Sequence, residues 1–171
     1  MALRGTRLVG ALGVVVVVLD QLTKAWVRDA YALGEGTPLI DGVVWLTRVH
    51  NTGAAFGMLR GKQWLLAAFA VVVLVAIGWI VARVKHLHPL VGVGLGLVAG
   101  GAAGNLIDRV VLGGVTDFID FGWFPVFNVA DIALDVGVAL IVIWLLFFDG
   151  REHAAQPASH RGAPTTGQDP L

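Results

Sequence analysis

Long apolar stretches alternate with shorter polar ones along this chain. The apolar stretches cover residues 8–27, 64–82, 89–112 and 129–148. Each is close to the ~20 residues that cross ~30 Å of hydrocarbon as a helix. Valine is abundant in them, but a backbone in lipid must satisfy its own hydrogen bonds, so helix wins over β propensity. The runs are continuous, whereas a membrane β-barrel needs many short alternating strands. The pattern predicts an all-α membrane protein with four transmembrane helices.

The polar stretches differ in character. In the first loop, 28–63, the segment 42–49 is β-like in composition, and Gly34, Gly36, Pro38 and Gly42 punctuate it as turns. A small β-rich element is expected there. Helices two and three are joined by a short basic loop, 83–88, and helices three and four by 113–128. Residues 149–171 are polar and rich in Pro, Gly and Ala, the composition of a disordered tail. The expected organisation is a membrane domain over 1–148 followed by that tail.

Arg4 and Arg7 before the first apolar run, with Ala30-Tyr31-Ala32 after it, resemble a cleavable signal peptide. The cleavage-like triplet lies beyond Asp20, Lys24, Arg28 and Asp29, too far from the run, so this stretch is read as a retained helix. Four spans put both termini on one side. Arg4, Arg7, Arg83, Lys85, Arg151 and Arg161 lie on that side; Lys24, Arg28, Arg48, Arg60, Lys62 and Arg109 lie on the other. Lys24 and Arg109 adjoin acidic residues within helices, and discounting them tips the balance toward cytoplasmic termini and an extracytoplasmic first loop.

Gly92, Gly96, Gly100 and Gly104 repeat at four-residue spacing in helix three. Such a stripe lets another helix approach closely, either within the bundle or from a second copy.

Composition narrows the chemistry. The chain is 57% hydrophobic and 14% charged, against roughly half and a quarter in soluble domains. A net charge of zero argues against a nucleic-acid partner. Cysteine is absent and the only serine, Ser159, is in the tail, which excludes thiolate chemistry and a membrane-embedded serine hydrolase. His86, His88, His153 and His160 lie in polar stretches away from the spans, leaving His50; Glu is limited to Glu35 and Glu152. No metal site is expected from these residues, so hydrolytic chemistry would rest on aspartate.

An ionisable residue within a span costs roughly 2.5–3.5 kcal/mol on insertion scales and calls for a partner or a task. Here such residues gather near one end of the bundle. Asp20 and Lys24 are four apart, on one helical face, as an ion pair would be. Asn105, Asp108 and Arg109 share the outer end of helix three; Arg109 either pairs within the helix or reaches a substrate group. Asp117 and Asp120 follow in the loop leaving helix three, and Asn128 and Asp131 open helix four. Asn128 suits an N-cap with Asp131 at N3, so Asp131 by itself reads as a capping carboxylate. Asp135, one turn deeper, shares its face and is an alternative partner.

The short connection makes helices three and four neighbours, which sets Asp117 and Asp131 at one depth. Two carboxylates in a partly desolvated site titrate as a pair holding one proton, the acid/base arrangement of aspartic peptidases. A small transporter or proton relay also uses intramembrane Asp and Arg. Against that, these acids cluster at one end and form no path across, and the halves show no inverted repeat.

Five segments resemble motifs of lipoprotein signal peptidases (signal peptidase II). They are Asp20-Gln21-Leu22-Thr23-Lys24, Asn51-Thr52-Gly53-Ala54-Ala55-Phe56-Gly57, Gly104-Asn105-Leu106-Ile107-Asp108-Arg109, Val115-Thr116-Asp117-Phe118 and Phe127-Asn128-Val129-Ala130-Asp131. Each is weak alone, but their order and their places among four spans are specific. The resemblance covers about 8–148. It implies catalytic aspartates at Asp117 and Asp131, with Asp120 and Asp135 as bystanders. It implies that Asn51, Asn105, Arg109 and Asn128 hold substrate or support the site, that Asp20 and Lys24 are architecture around it, and that Gly53, Ala55 and Phe56 shape its wall. It further implies a small β-cradle and a short helix from the first loop, no metal or organic cofactor, and a bacterial cytoplasmic-membrane location. The substrate it implies is a diacylglyceryl prolipoprotein, cleaved just before the lipidated Cys to free the signal peptide. Trp26, Trp45, Trp64 and Trp123 flank the same end, as interfacial aromatics do.

Overall fold

The computed structural model describes residues 2–53, 62–84 and 86–148. The order of elements is α1 (Ala2–Ala30), β1 (Gly36–Ile40), β2 (Val44–Asn51), α2 (Gln63–Arg83), α3 (Pro89–Leu112), β3 (Val115–Asp120) and α4 (Val129–Phe147). All four helices are long and apolar enough to cross a membrane. α1 runs past both ends of its apolar stretch, and Asp20 and Lys24 within it are satisfied by neighbours and do not break it.

α3 is the centre of the bundle, packed against α1, α2 and α4. Its glycines explain why. A methyl added at Gly96 would meet Leu12 of α1, and one at Gly100 would meet Val16. On another face, one at Gly94 would meet Ile141 of α4 and one at Gly101 would meet the Ala130 carbonyl. The small-residue stripe is therefore filled from within the bundle by α1, the first of its two readings. Val9, Ile77, Leu95 and Val98 form an apolar core between α1, α2 and α3, while Val14, Val15, Val18, Val72, Val75 and Leu146 face outward, as suits lipid.

The sheet departs from the expectation in one respect. Asp117 and Asp120 lie in a strand, not a loop, and that strand joins the first-loop hairpin in an antiparallel sheet ordered β1-β2-β3. Asp117 stands opposite Val49, Thr116 opposite His50, and Val115 opposite Asn51. The β-branched residues of Val115-Thr116-Asp117-Phe118-Ile119 suit a strand, but the β2 edge that completes it lies more than 60 residues away in sequence. Gly113, at φ 72°, turns the chain out of α3 into β3 with a left-handed cap. After β3 the chain folds back, and Phe127 exchanges backbone hydrogen bonds with Ile119 (2.8 and 3.1 Å). This bridge delivers Asn128 and the start of α4 beside Asp117.

The first loop contains no helix among its described residues. Residues 54–61, with Ala55 and Phe56, and the tail expected over 149–171 lie outside them.

Candidate active site

The most deeply buried side chains of the protein are mostly polar, and they gather at one end of the bundle. Of the five largest side chains below 2% exposure, four are Lys24, Asn128, Asp20 and Asp108. Lys24 is their hub. Its ammonium lies 2.9 Å from Asp20 and 3.5 Å from Asp108, and donates to Asn105 Oδ1 at 2.9 Å. Each acid then spends its remaining capacity on backbone. Asp20 Oδ1 accepts from the Ala130 N–H at 3.0 Å, in the first turn of α4. Asp108 Oδ2 accepts from the Thr116 N–H at 2.9 Å, near the start of β3. One buried cation thus holds in place, through two carboxylates, the two segments that carry Asp117 and Asp131. Gln21 ties the pair together, donating to Asp20, to Asp108 and to the Gly104 carbonyl.

The asparagines are aimed by the backbone. Asn51 Oδ1 accepts from the Gly53 N–H at 3.0 Å, which turns its amide toward Asp117 Oδ2 at 2.9 Å. Asn128 Oδ1 accepts from the Asp131 N–H at 3.1 Å, which turns its amide toward Asp117 Oδ1 at 2.6 Å. Asn105 Oδ1, engaged by Lys24, leaves Nδ2 to donate to Asp131 Oδ1 at 2.8 Å. Asp131 Oδ2 accepts from the Asn128 N–H at 3.2 Å, completing a capping box on α4. The capping role read for Asp131 therefore holds, and it coexists with a place in the cavity. Asn128 bonds both carboxylates, one through its side chain and one through its backbone.

Asp117 and Asp131 line one cavity of about 310 Å³ with Asn51, Gly53, Arg109 and Asp135. Its apolar wall is Phe124-Pro125-Val126-Phe127 and Ile132. Burial pushes the Asp117 carboxyl up to about 7, and the charge of Asp131 adds to the shift; the Asn51 and Asn128 amides and Lys24 oppose it. Arg109 donates to the Asn105 carbonyl at 3.2 Å within its own helix, and no carboxylate among the described residues pairs with it, so most of its donors remain for the cavity. Asp135 is exposed and shares no partner with Asp131, so the geometry brings together Asp117 and Asp131. Asp120 turns away, accepting from the Gly122 N–H at 2.7 Å.

Several contributors were not singled out as site residues from the sequence: Gln21, Thr116 and the wall 124–127, and Gly104 was read only as part of the packing stripe. Gln21, Gly104, Thr116 and Phe127 stood inside the quoted motifs. A methyl on Gly104 would lie 2.5 Å from Asp20 Oδ2, so the glycine makes room for that carboxylate. The rest of the wall, Phe124-Pro125-Val126, carried no local signal, since it faces the cavity only through the fold of the chain after β3.

A family profile described as "Signal peptidase (SPase) II" matches residues 12–147. A lipoprotein signal peptidase of Syntrophomonas wolfei is 48% identical over 136 residues, covering 80% of this chain and 90% of that protein. One from Geobacillus kaustophilus is 50% identical over 137 residues, covering 78% and 89%. A solved structure titled as a bacterial membrane enzyme superposes with TM-score 0.76 at 32% identity, covering 90% of this chain and 93% of that one. The matched span holds every buried polar residue of the site, and the chain is a multi-pass membrane protease of the signal peptidase II family.

Proposed function

We propose that this chain is an aspartic endopeptidase that cleaves the signal peptide from diacylglyceryl-modified prolipoproteins just before the lipidated Cys. The observation that carries the mechanism is the shared Asn128: it bonds Asp117 and Asp131 at once, on the wall of one cavity, at the end of the bundle where α3 stops and α4 starts. The relatives named lipoprotein signal peptidase support the substrate class.

Asp131 sits in the first turn of α4, where the helix dipole favours an anion. In this reading Asp117, the more buried of the two and raised to about 7, carries the proton that the pair shares. Asp131 takes a proton from water as the water oxygen bonds to the scissile carbonyl carbon, and Asp117 gives its proton to the carbonyl oxygen. On collapse, the C–N bond breaks and the amine leaves with the proton held by Asp131. Asp117 recovers its proton from the former carbonyl oxygen, and the dyad is restored. Arg109 offers the peptide carbonyls a donor, and Asn51, Asn105 and Asn128 keep the carboxylates oriented. Gly53 supports Asn51, while Asp20 and Lys24 hold the dyad's two segments.

The site belongs at the extracytoplasmic face of a bacterial cytoplasmic membrane, with both termini in the cytoplasm. A lipid-anchored substrate lies at the membrane surface, and acids at the ends of α3 and α4 suit that depth. Incubating the purified protein in lipid with a diacylglyceryl prolipoprotein tests the proposal. Asp117→Asn and Asp131→Asn are each expected to lower cleavage by at least ~10³-fold, near the upper range for a general acid or base, without unfolding the protein. Near-parental cleavage by either variant removes that residue from the dyad, and inhibition by chelators points to metal chemistry instead.

A further inference from the structure

A second cavity, of about 220 Å³, opens on the other side of β3 from the dyad and shares no lining residue with the first. Arg28, Arg48, His50 and Thr116 supply its polar lining, and Leu33 and Leu112 supply much of its apolar lining. It lies where α1 and α3 end against β2 and β3, which is headgroup depth for two membrane-crossing helices.

Its two guanidiniums are each held by one edge. Arg48 Nη1 donates to the carbonyls of Arg28 and Tyr31, at 2.9 and 2.7 Å, closing the C-terminal end of α1. Arg28 Nη1 donates to Thr116 Oγ1 at 3.2 Å and lies 4.0 Å from Asp108. Each keeps Nη2 and Nε donors without a partner among the described residues, and so does the imidazole of exposed His50. Asp108 is already engaged by Lys24, Gln21 and the Thr116 N–H, and Glu35 by the Ala32 N–H. The cavity's own lining therefore carries two guanidiniums and no carboxylate, with fixed, unspent donors. Forked N–H donors of this kind match a phosphate.

We propose that this cavity binds the phosphodiester headgroup of an anionic phospholipid. A lipid is favoured over free phosphate by the exposed apolar side chains of the lining itself: Leu33 is 66% exposed and Leu112, at the end of α3, is 42% exposed. Acyl chains can lie along that surface while the phosphate meets the arginines. The site touches the catalytic strand through the Arg28–Thr116 bond, one residue from Asp117, but its occupancy does not depend on the peptidase reading.

Native mass spectrometry of the full chain, offered equal phosphatidylglycerol and phosphatidylcholine, reads the preference. We expect one phosphatidylglycerol to be retained with roughly thirtyfold preference, the size expected for two arginines at a membrane surface. Arg28→Gln combined with Arg48→Gln brings the preference to near parity, while Arg109→Gln, in the other cavity, leaves it in place. Equal retention of the two lipids by the wild type means annular binding only and overturns the proposal. Millimolar inorganic phosphate that binds and fully displaces the lipid overturns the lipid as occupant. Because the double variant also removes structural bonds, a photoactivatable phosphatidylglycerol is cross-linked to the unaltered chain. Adducts confined to peptides spanning 28–33, 48–50 and 110–116 support the site, and adducts spread over all four helices refute it.

Discussion

Lys24 and Arg109 are both cations at the outer end of the bundle, yet their surroundings assign them opposite kinds of work. Lys24 is fully buried and saturated by Asp20, Asp108 and Asn105. Removing one member of such a network strands the others, at about 3–5 kcal/mol. Lys24→Met is therefore expected to lower thermal stability steeply in detergent and to take activity with it. Arg109 is half-buried with a single backbone hydrogen bond. Arg109→Gln should lower stability by no more than about 1 kcal/mol, the worth of its one hydrogen bond, while cutting kcat/KM for cleavage, and equal stability losses in the two variants would contradict this division. Asp117 gives a pH signature. Its carboxyl is raised from 3.8 to about 7, so cleavage should fall as pH rises through about 7 and the dyad loses its shared proton. Asn51 opposes that shift, so Asn51→Ala should move the alkaline limb of the pH–rate profile upward. The stability sign follows from the same values. A group raised on folding stabilises the protein below its unfolded pKa, and that contribution is lost as pH rises from about 4 through about 7. Thermal melts should therefore show the difference between Asp117→Asn and the parent moving in the variant's favour between pH 5 and 8.

Among the elements, α3 sets the tolerances. It is a helix of glycines because α1 and α4 both approach it closely, and at its outer end this closeness becomes chemical. Gly104 admits Asp20, whose carboxylate reaches across to the first turn of α4. Gly104→Ala is expected to cost about 1–3 kcal/mol from overpacking and to reduce cleavage as well, since Asp20 must move off Ala130. Ala substitution at Gly10, where no atom lies within 4 Å, should change neither in the same melts and assays. The two catalytic segments reach the site by different means. α4 brings Asp131 through its own cap, a local device, whereas β3 brings Asp117 by pairing with a strand from the first loop.

As a whole, the molecule places its sheet, both cavities and the exposed Trp123 at one end of the bundle and the α2–α3 loop at the other. The cysteine-free sequence makes sidedness measurable. With cytoplasmic termini, Trp123→Cys reacts with a membrane-impermeant maleimide in intact cells, and His86→Cys reacts only after permeabilisation. The reverse pattern would turn the site toward the cytosol.

The four spans were legible in the apolar pattern because lipid leaves a backbone few choices, and the cap at Asn128–Asp131 was legible because capping is local. The excess of polar residues at one end marked a site, and the motif resemblance named its aspartates. What only the tertiary structure decided was the partnering. β3 exists because β2 offers an edge, and Asn51 meets Asp117 because that pairing sets the register. Asp20 turned out to hold the start of α4, 110 residues away, as well as to pair with Lys24. The aromatic wall and the arginine cavity were unreadable for the same reason. Hydrophobic periodicity and capping act over one or two turns of chain, whereas a cavity is made by residues that meet only after the helices have packed.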